Sequence, residues 1–262
     1  MVSLYYKFMD AYNILLLVMV LIAVIVFICL YFVEAGYGVL FDKKWGTPIN
    51  NKVAWVLMEA PVVLVMLFMW TGSAYKFETV PLVFFLFFEL HYFQRSFIFP
   101  LKMSGKSKMP AGIMLMGIVF NLINGYIQGK WILYLAPEQG WYNPSWLLSP
   151  QFIIGTAIFI FGMAVNWHSD HIVRHLRKPG DTAHYLPKGG MFNYVTSANY
   201  FGEFTEWVGF AIMTWSWAGV VFAVWTFANL APRAHAINKK YRVWFADEMK
   251  GKNLKRIIPF IY

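Results

Sequence analysis

Apolar residues fall in long uninterrupted blocks along this chain, not in the alternation of a half-buried strand. Blocks at about Ile14 to Val33, Val53 to Trp70, Val80 to Phe99, Gly112 to Leu135 and Phe152 to Val165 are mostly near the ~20 residues that a helix needs to cross a bilayer core. A sixth block, Trp207 to Ala231, fits either one long tilted span or two shorter helices meeting near Trp215-Ser216-Trp217. Lysines and arginines decide between these, because short cytoplasmic loops are enriched in both. Lys43, Lys44 and Lys52 follow the first block, Lys76 alone follows the second, Lys102, Lys106 and Lys108 follow the third, and none lies in Ala136 to Gln151. Arg174, Arg177, Lys178 and Lys188 precede the sixth block, and Arg233, Lys239, Lys240, Arg242, Lys250, Lys252, Lys255 and Arg256 follow it. Two consecutive basic segments share a side only if an even number of crossings separates them. The pattern predicts an all-α integral membrane protein with seven transmembrane helices, the N-terminus outside and the C-terminus cytosolic.

Composition agrees, with 59% of the 262 positions hydrophobic and 13% charged, far from the balance of a soluble domain. The first block is read as a retained span, since no small-residue cleavage site follows it. Without repeats, low-complexity tracts or linkers, residues 1–262 form one domain, expected as a monomer in a bacterial inner membrane or an endoplasmic reticulum. The lone Cys29 has no disulfide partner. The net charge of +9 reflects topology and anionic lipid headgroups, and no nucleic-acid recognition module accompanies it.

Chemistry gathers where charge meets apolar sequence. On a helix, Asn166, Asp170, Arg174 and Arg177 fall within about 80° of one another, and Pro179-Gly180 is expected to stop that helix. An ionisable cluster at a membrane boundary is costly unless it pairs or binds something. A second stripe, Asn199, Glu203 and Glu206, runs into the sixth block, and Arg174, Arg177 and Arg233 are its expected partners. Such a set holds either a salt-bridge network or the hydroxyls and phosphates of a nucleotide. Gly180 to Tyr200 is the longest polar interruption nearby, and Gly189-Gly190 marks a turn in this candidate cap. His168, His171 and His175 look like one histidine box, but other histidines number only three, His91, His184 and His235, so no metal is expected. No glycine-rich dinucleotide fingerprint follows a strand. Glu59 lies inside the second block, where a neutral carboxyl group donates a hydrogen bond to a carbonyl and so polarises an enone. Tyr92, among Glu89, His91, Gln94 and Arg95 of the third block, is a second candidate donor.

These residues carry a resemblance to the steroid 5α-reductases, the 3-oxo-5α-steroid 4-dehydrogenase family. It is densest in Asn166 to Gly180, Gly189-Gly190-Met191-Phe192-Asn193-Tyr194-Val195, Ala198-Asn199-Tyr200-Phe201-Gly202-Glu203 and Ile258-Pro259-Phe260-Ile261-Tyr262. His91-Tyr92-Phe93-Gln94-Arg95, Asn124-Gly125 and Gly140-Trp141-Tyr142 fit as well. The resemblance implies a seven-helix reductase in which hydride passes from NADPH to the β-carbon of a 3-oxo-Δ4-steroid and C4 is protonated, giving a 5α-dihydro steroid. By matching position, Glu59 and Tyr92 would polarise the 3-oxo group. Asn166, Asp170, Arg174, Arg177, Tyr185, Asn199, Glu203, Arg233 and Tyr241 would contact NADPH. About residues 1–110 would serve the substrate and about 111–262 the nucleotide. Met58 and Ile237 depart from the best-known mammalian pattern, which has glutamine and histidine there. The resemblance extends to reductases of polyprenols, enoyl thioesters or sterol double bonds, whereas a transporter would use Glu59 as an ion site.

Overall fold

The computed structural model describes residues 2–103, 107–178, 181 and 183–262, with residues 2–8 by backbone alone. Among them, seven long helices carry most of the chain. They are α1 (Val2–Phe32), α2 (Asn51–Gly72), α3 (Thr79–Phe93, prolonged to Lys102), α4 (Ala111–Lys130, prolonged to Glu138), α5 (Pro150–His175), α6 (Ala198–Thr214) and α7 (Trp217–Trp244), and a short α8 (Ala246–Met249) follows. The first five are long and apolar enough to cross a membrane. Their outward residues are apolar, with Phe68 79% and Phe32 83% exposed, as a surface facing lipid requires. The protein is an integral membrane protein.

The sixth apolar block is two helices. Trp215 closes α6 in the left-handed region (φ 49°, ψ 42°), and the Ser216 hydroxyl accepts from Gly219 N to cap α7. Strands β1 (Pro48–Asn50) and β2 (Lys108–Pro110) form a short antiparallel ladder, Ile49 opposite Met109, that ties the entries of α2 and α4 together. Three-residue strands leave no trace in hydropathy. Helices α3 and α4 each pass through a π turn, Gln94–Ile98 and Trp131–Leu135, and a proline follows each, Pro100 and Pro137. A proline ring collides with the carbonyl one turn back, and a locally widened turn relieves that contact.

Helices α5 and α6 touch backbone to backbone. A Cβ on Gly162 would lie 2.3 Å from Glu206 N, one on Gly202 2.4 Å from Asn166 N, one on Gly155 2.3 Å from Met213 N and one on Gly209 2.3 Å from Phe159 N. The seven-residue spacing in both helices keeps the glycines on one seam. That seam brings the stripe of Asn166 and Asp170 against the stripe of Asn199, Glu203 and Glu206. Phe84, Phe88, Tyr92, Phe159, Trp207 and Phe210 pack beside it in the largest buried cluster, built from α2 to α7.

Candidate active site

Helix α5 ends at His175, and the predicted Pro179-Gly180 stop lies outside the described residues. At its end Asp170 is buried and Asn166 Nδ2 donates to Asn199 O at 2.9 Å, while Asn199 Nδ2 donates to Asp170 Oδ1 at 3.4 Å. These contacts cross the glycine seam, so α6 enters with its first turn already bonded to α5.

The two glutamates of α6 find partners other than those expected. Arg95, on the π turn of α3, donates to Asp170 Oδ2 at 3.2 Å and to Glu203 Oε2 at 3.5 Å. Its guanidinium is buried between the rings of Trp55 and Phe99, 4.6 and 4.4 Å from their centroids, where a planar cation stacks and remains charged. Glu206 Oε1 is hydrogen-bonded to His91 Nδ1 at 2.8 Å, one helical turn before Arg95. The expected pairing with Arg174, Arg177 or Arg233 is thus corrected, because α3, not the end of α5 or α7, faces the carboxylates. The spacing of His91 and Arg95 placed both on one helix face, but nothing in sequence says which helix that face meets.

The remaining candidates divide. Arg233 is buried and donates through Nε to the Tyr200 hydroxyl (2.6 Å) and through its two terminal nitrogens to Ala35 O and Tyr37 O (2.8 Å each). The Tyr37 ring lies 3.4 Å from its guanidinium carbon. Three of its five N–H groups are engaged, so two remain for a ligand. Tyr241 packs on the same cluster as Tyr200, Ala234 and Ile237. Arg174 is half-buried at the end of α5, and Arg177 is exposed with its Nη2 2.7 Å from His184 Nδ1. Tyr185 lies apart, exposed in the loop, donating to Asp181 Oδ2 at 2.8 Å. With Ala183 N–H and that phenol donating to it, the Asp181 carboxyl is held below its usual range. Gly189 and Gly190 do form a turn, at φ 90° and 51°. Gly190 lies against the His168 imidazole and so folds the loop back on α5. His168, His171 and His175 are exposed, and among the described residues no cluster of three or more His, Cys, Asp or Glu could hold a metal.

The second group of polar residues lies deeper. Asn121 Nδ2 donates to Glu59 Oε2 at 3.1 Å and to Met58 O at 2.8 Å, and Asn124 Nδ2 donates to the Tyr92 hydroxyl at 3.0 Å. Tyr92 is itself packed on Phe88, Trp207 and Phe222. Glu59 therefore has an amide partner rather than a lysine or arginine. The sequence motif points to Asn124 alone; Asn121 and Gln128 join it on one helical face by the spacing 121, 124, 128.

The polar atoms suit a dinucleotide. Buried Ser169 Oγ and Ser197 Oγ, adjacent in sequence to Asp170 and to the first turn of α6, have no hydrogen-bond partner, nor does Glu206 Oε2. A buried polar atom left unpaired costs about 1–3 kcal/mol, so Ser169 Oγ, Ser197 Oγ and Glu206 Oε2, on the same segments as Asp170, Asn199 and Glu203, are groups that a polar ligand could satisfy. Hydroxyls and carboxylates match ribose and carboxamide groups, and the cations Arg174, Arg177 and Arg233 match phosphates.

The fold and this cluster define a helical membrane protein with a buried polar site shared by α2 to α7. Residues 107–262 match the model of the 3-oxo-5-alpha-steroid 4-dehydrogenase family. The chain is 36% identical over 254 residues to Steroid 5-alpha-reductase DET2 of Gossypium hirsutum, covering 94% of this chain and 96% of that one. It is 39% identical over 218 residues to 3-oxo-5-alpha-steroid 4-dehydrogenase 1 of Homo sapiens (82% and 81%) and 35% identical over 244 residues to the same enzyme of Bos taurus (92% and 93%). The chain belongs to the 3-oxo-5-alpha-steroid 4-dehydrogenase family, a family of oxidoreductases.

Proposed function

We propose that the protein reduces the Δ4 double bond of 3-oxo-Δ4-steroids such as testosterone or progesterone to 5α-dihydro steroids, with NADPH as reductant. All seven long helices cross the membrane in this reading, with the N-terminus outside and the cytosolic ends of α5 to α7 around the nucleotide. The observation that carries it is the face of α3. Tyr92 and Arg95 stand about one turn apart there, the phenol hydrogen-bonded to Asn124 and the guanidinium bonded to Asp170 and Glu203. A carbonyl-polarising group and a nucleotide-type polar cluster thus adjoin on one helix.

Asn166, Asp170, Asn199 and Glu203 hold the sugar and carboxamide of the nucleotide, and Arg174, Arg177, Arg233, Tyr185 and Tyr241 its phosphates and base. The hydride that the reduction requires is what bound NADPH supplies. Glu59 and Tyr92 donate hydrogen bonds to the 3-oxo group and stabilise the negative charge that develops on its oxygen as C5 becomes saturated; C4 then takes a proton. Removing one such donor costs about 10²- to 10³-fold in rate. The aromatic packing around Tyr92 excludes water, which strengthens both bonds.

The test is to purify the protein in detergent and follow NADPH absorbance on adding progesterone or testosterone, with Glu59→Gln in parallel. Steroid-dependent oxidation, a 5α-dihydro product and a large loss in the variant are expected. Bound NADPH without reduction of any 3-oxo-Δ4-steroid would move the substrate to a polyprenol, enoyl thioester or sterol double bond.

A further inference from the structure

Helix α4 carries three buried amides on one face, Asn121, Asn124 and Gln128, with Gln128 fully enclosed. Amides in an apolar bundle are costly unless paired, and their partners here settle which way each one points. Gln128 Nε2 lies 2.8 Å from Ala218 O, a backbone carbonyl at the start of α7 that can only accept, so the NH₂ end must face it. The same nitrogen lies 3.3 Å from Asn124 Oδ1, which must then be the carbonyl end of Asn124. Asn124 consequently turns its NH₂ to the Tyr92 oxygen at 3.0 Å. By the same reasoning Met58 O fixes the NH₂ of Asn121, which donates its other hydrogen to Glu59 Oε2.

Both candidate donors are therefore used as acceptors on the α4 side. The Tyr92 hydroxyl hydrogen has no place on Asn124 and is free to point elsewhere, and the proton of a neutral Glu59 carboxyl belongs on Oε1, the oxygen away from Asn121. We propose that Asn121, Asn124 and Gln128 are positioning residues that set the direction of the two donor hydrogens, aiming both at the substrate carbonyl through a relay anchored on Met58 O and Ala218 O. The proposal rests on the donor roles of Glu59 and Tyr92 given above, and it extends the substrate-polarising machinery from α2 and α3 onto α4.

Reversing one amide tests it. Ionised aspartate at position 124, reached by assaying across alkaline pH, keeps an acceptor for Gln128 Nε2 and offers Tyr92 an oxygen that can only accept, so the phenol turns its hydrogen toward it. Leucine removes the amide without offering an acceptor. In the full-length protein, Asn124→Asp is expected to lower kcat about as far as Tyr92→Phe, roughly 10²-fold, with NADPH affinity unchanged. Asn124→Leu is expected to lose less, and Asn124→Asp combined with Tyr92→Phe no more than Tyr92→Phe alone. A residue that merely packs would give the same order of single variants, because leucine disturbs an apolar bundle no more than a carboxylate does, but its loss would add to that of Tyr92→Phe, so the double variant decides. Wild-type kcat in Asn124→Asp, or a loss that adds to that of Tyr92→Phe, would overturn the relay alone. A silent Tyr92→Phe in an active wild type would overturn the donor reading and the relay with it. Should Asn124→Asp fail to fold, Gln128→Glu reverses the relay one step earlier and is held to the same outcomes.

Discussion

Two glycine-lined contacts in this molecule differ in kind. Between α5 and α6, glycines at 155, 162, 202 and 209 face the backbone of the opposite helix, where a Cβ would meet amide nitrogens at 2.3–2.4 Å. Between α2 and α4, Gly117, Gly125 and Gly129 face side chains instead: Met58, the valines Val62 and Val65, and the methionines Met66 and Met69. The first contact fixes main chain against main chain and holds the nucleotide candidates within hydrogen-bond reach of each other. The second leaves room for long side chains, and its polar chemistry is carried by amides on one helix reaching donors on its neighbours. In the proposed reading, the nucleotide side of the site is a property of backbone spacing, and the substrate side a property of side-chain direction.

The largest effect should come from breaking the backbone seam. Gly162→Ala or Gly202→Ala forces α5 and α6 apart, because a Cβ 2.3–2.4 Å from opposing main-chain atoms meets nothing flexible, and the cost is expected to exceed both the ~1–3 kcal/mol of ordinary overpacking and the ~3–5 kcal/mol of breaking a buried ion pair. The expected result is a lower melting temperature in detergent together with lost NADPH affinity. Gly117→Ala, which meets Cγ and Sδ of the Met58 side chain at 2.4–2.5 Å and no main chain, should be milder in both readouts, and equal damage at the two seams would erase the distinction between them.

Next in size is Arg95→Gln. It strands Asp170 and Glu203 beside each other without their cation, and removing one partner of a buried pair costs about 3–5 kcal/mol. Thermal stability and NADPH affinity should both fall, and adding Glu203→Gln should recover part of the stability, since one of the stranded charges is then gone. No recovery in the double variant would mean that Arg95 acts chiefly by stacking on Trp55 and Phe99.

The smallest effect belongs to Tyr185→Phe. Its phenol is exposed and bonded to Asp181, so about one hydrogen bond, 0.5–1.5 kcal/mol, is at stake. A severalfold rise in the NADPH dissociation constant with unchanged kcat is expected; a loss as deep as that of Arg95→Gln would mean that the exposed loop carries as much of the binding as the buried cluster.

Much of this arrangement could be read before any coordinates. Block hydropathy shows the helices and marks Trp215-Ser216-Trp217 as the place where the last block could divide, and charge parity favours two helices over one there. Asn166, Asp170, Asn199 and Glu203 were legible because each stripe lies on one helix and helical spacing reveals it. What escaped notice was pairing between helices. Arg95 and His91 were visible as polar residues of α3, yet their contacts with Asp170, Glu203 and Glu206 span 75 to 115 residues, and periodicity is blind at that range. The amides of α4 were hidden for another reason: uncharged side chains scarcely dent an apolar run. The β1–β2 ladder was too short to show.

The central claim, that nucleotide binding and carbonyl polarisation reside in separate parts of one site, is tested most directly by titrating NADPH into Glu59→Gln and wild-type protein side by side and measuring steroid turnover in the same samples. Unchanged NADPH affinity with turnover reduced about 10²- to 10³-fold is the predicted result. An affinity that falls in step with turnover would contradict it, because Glu59 would then belong to the nucleotide site.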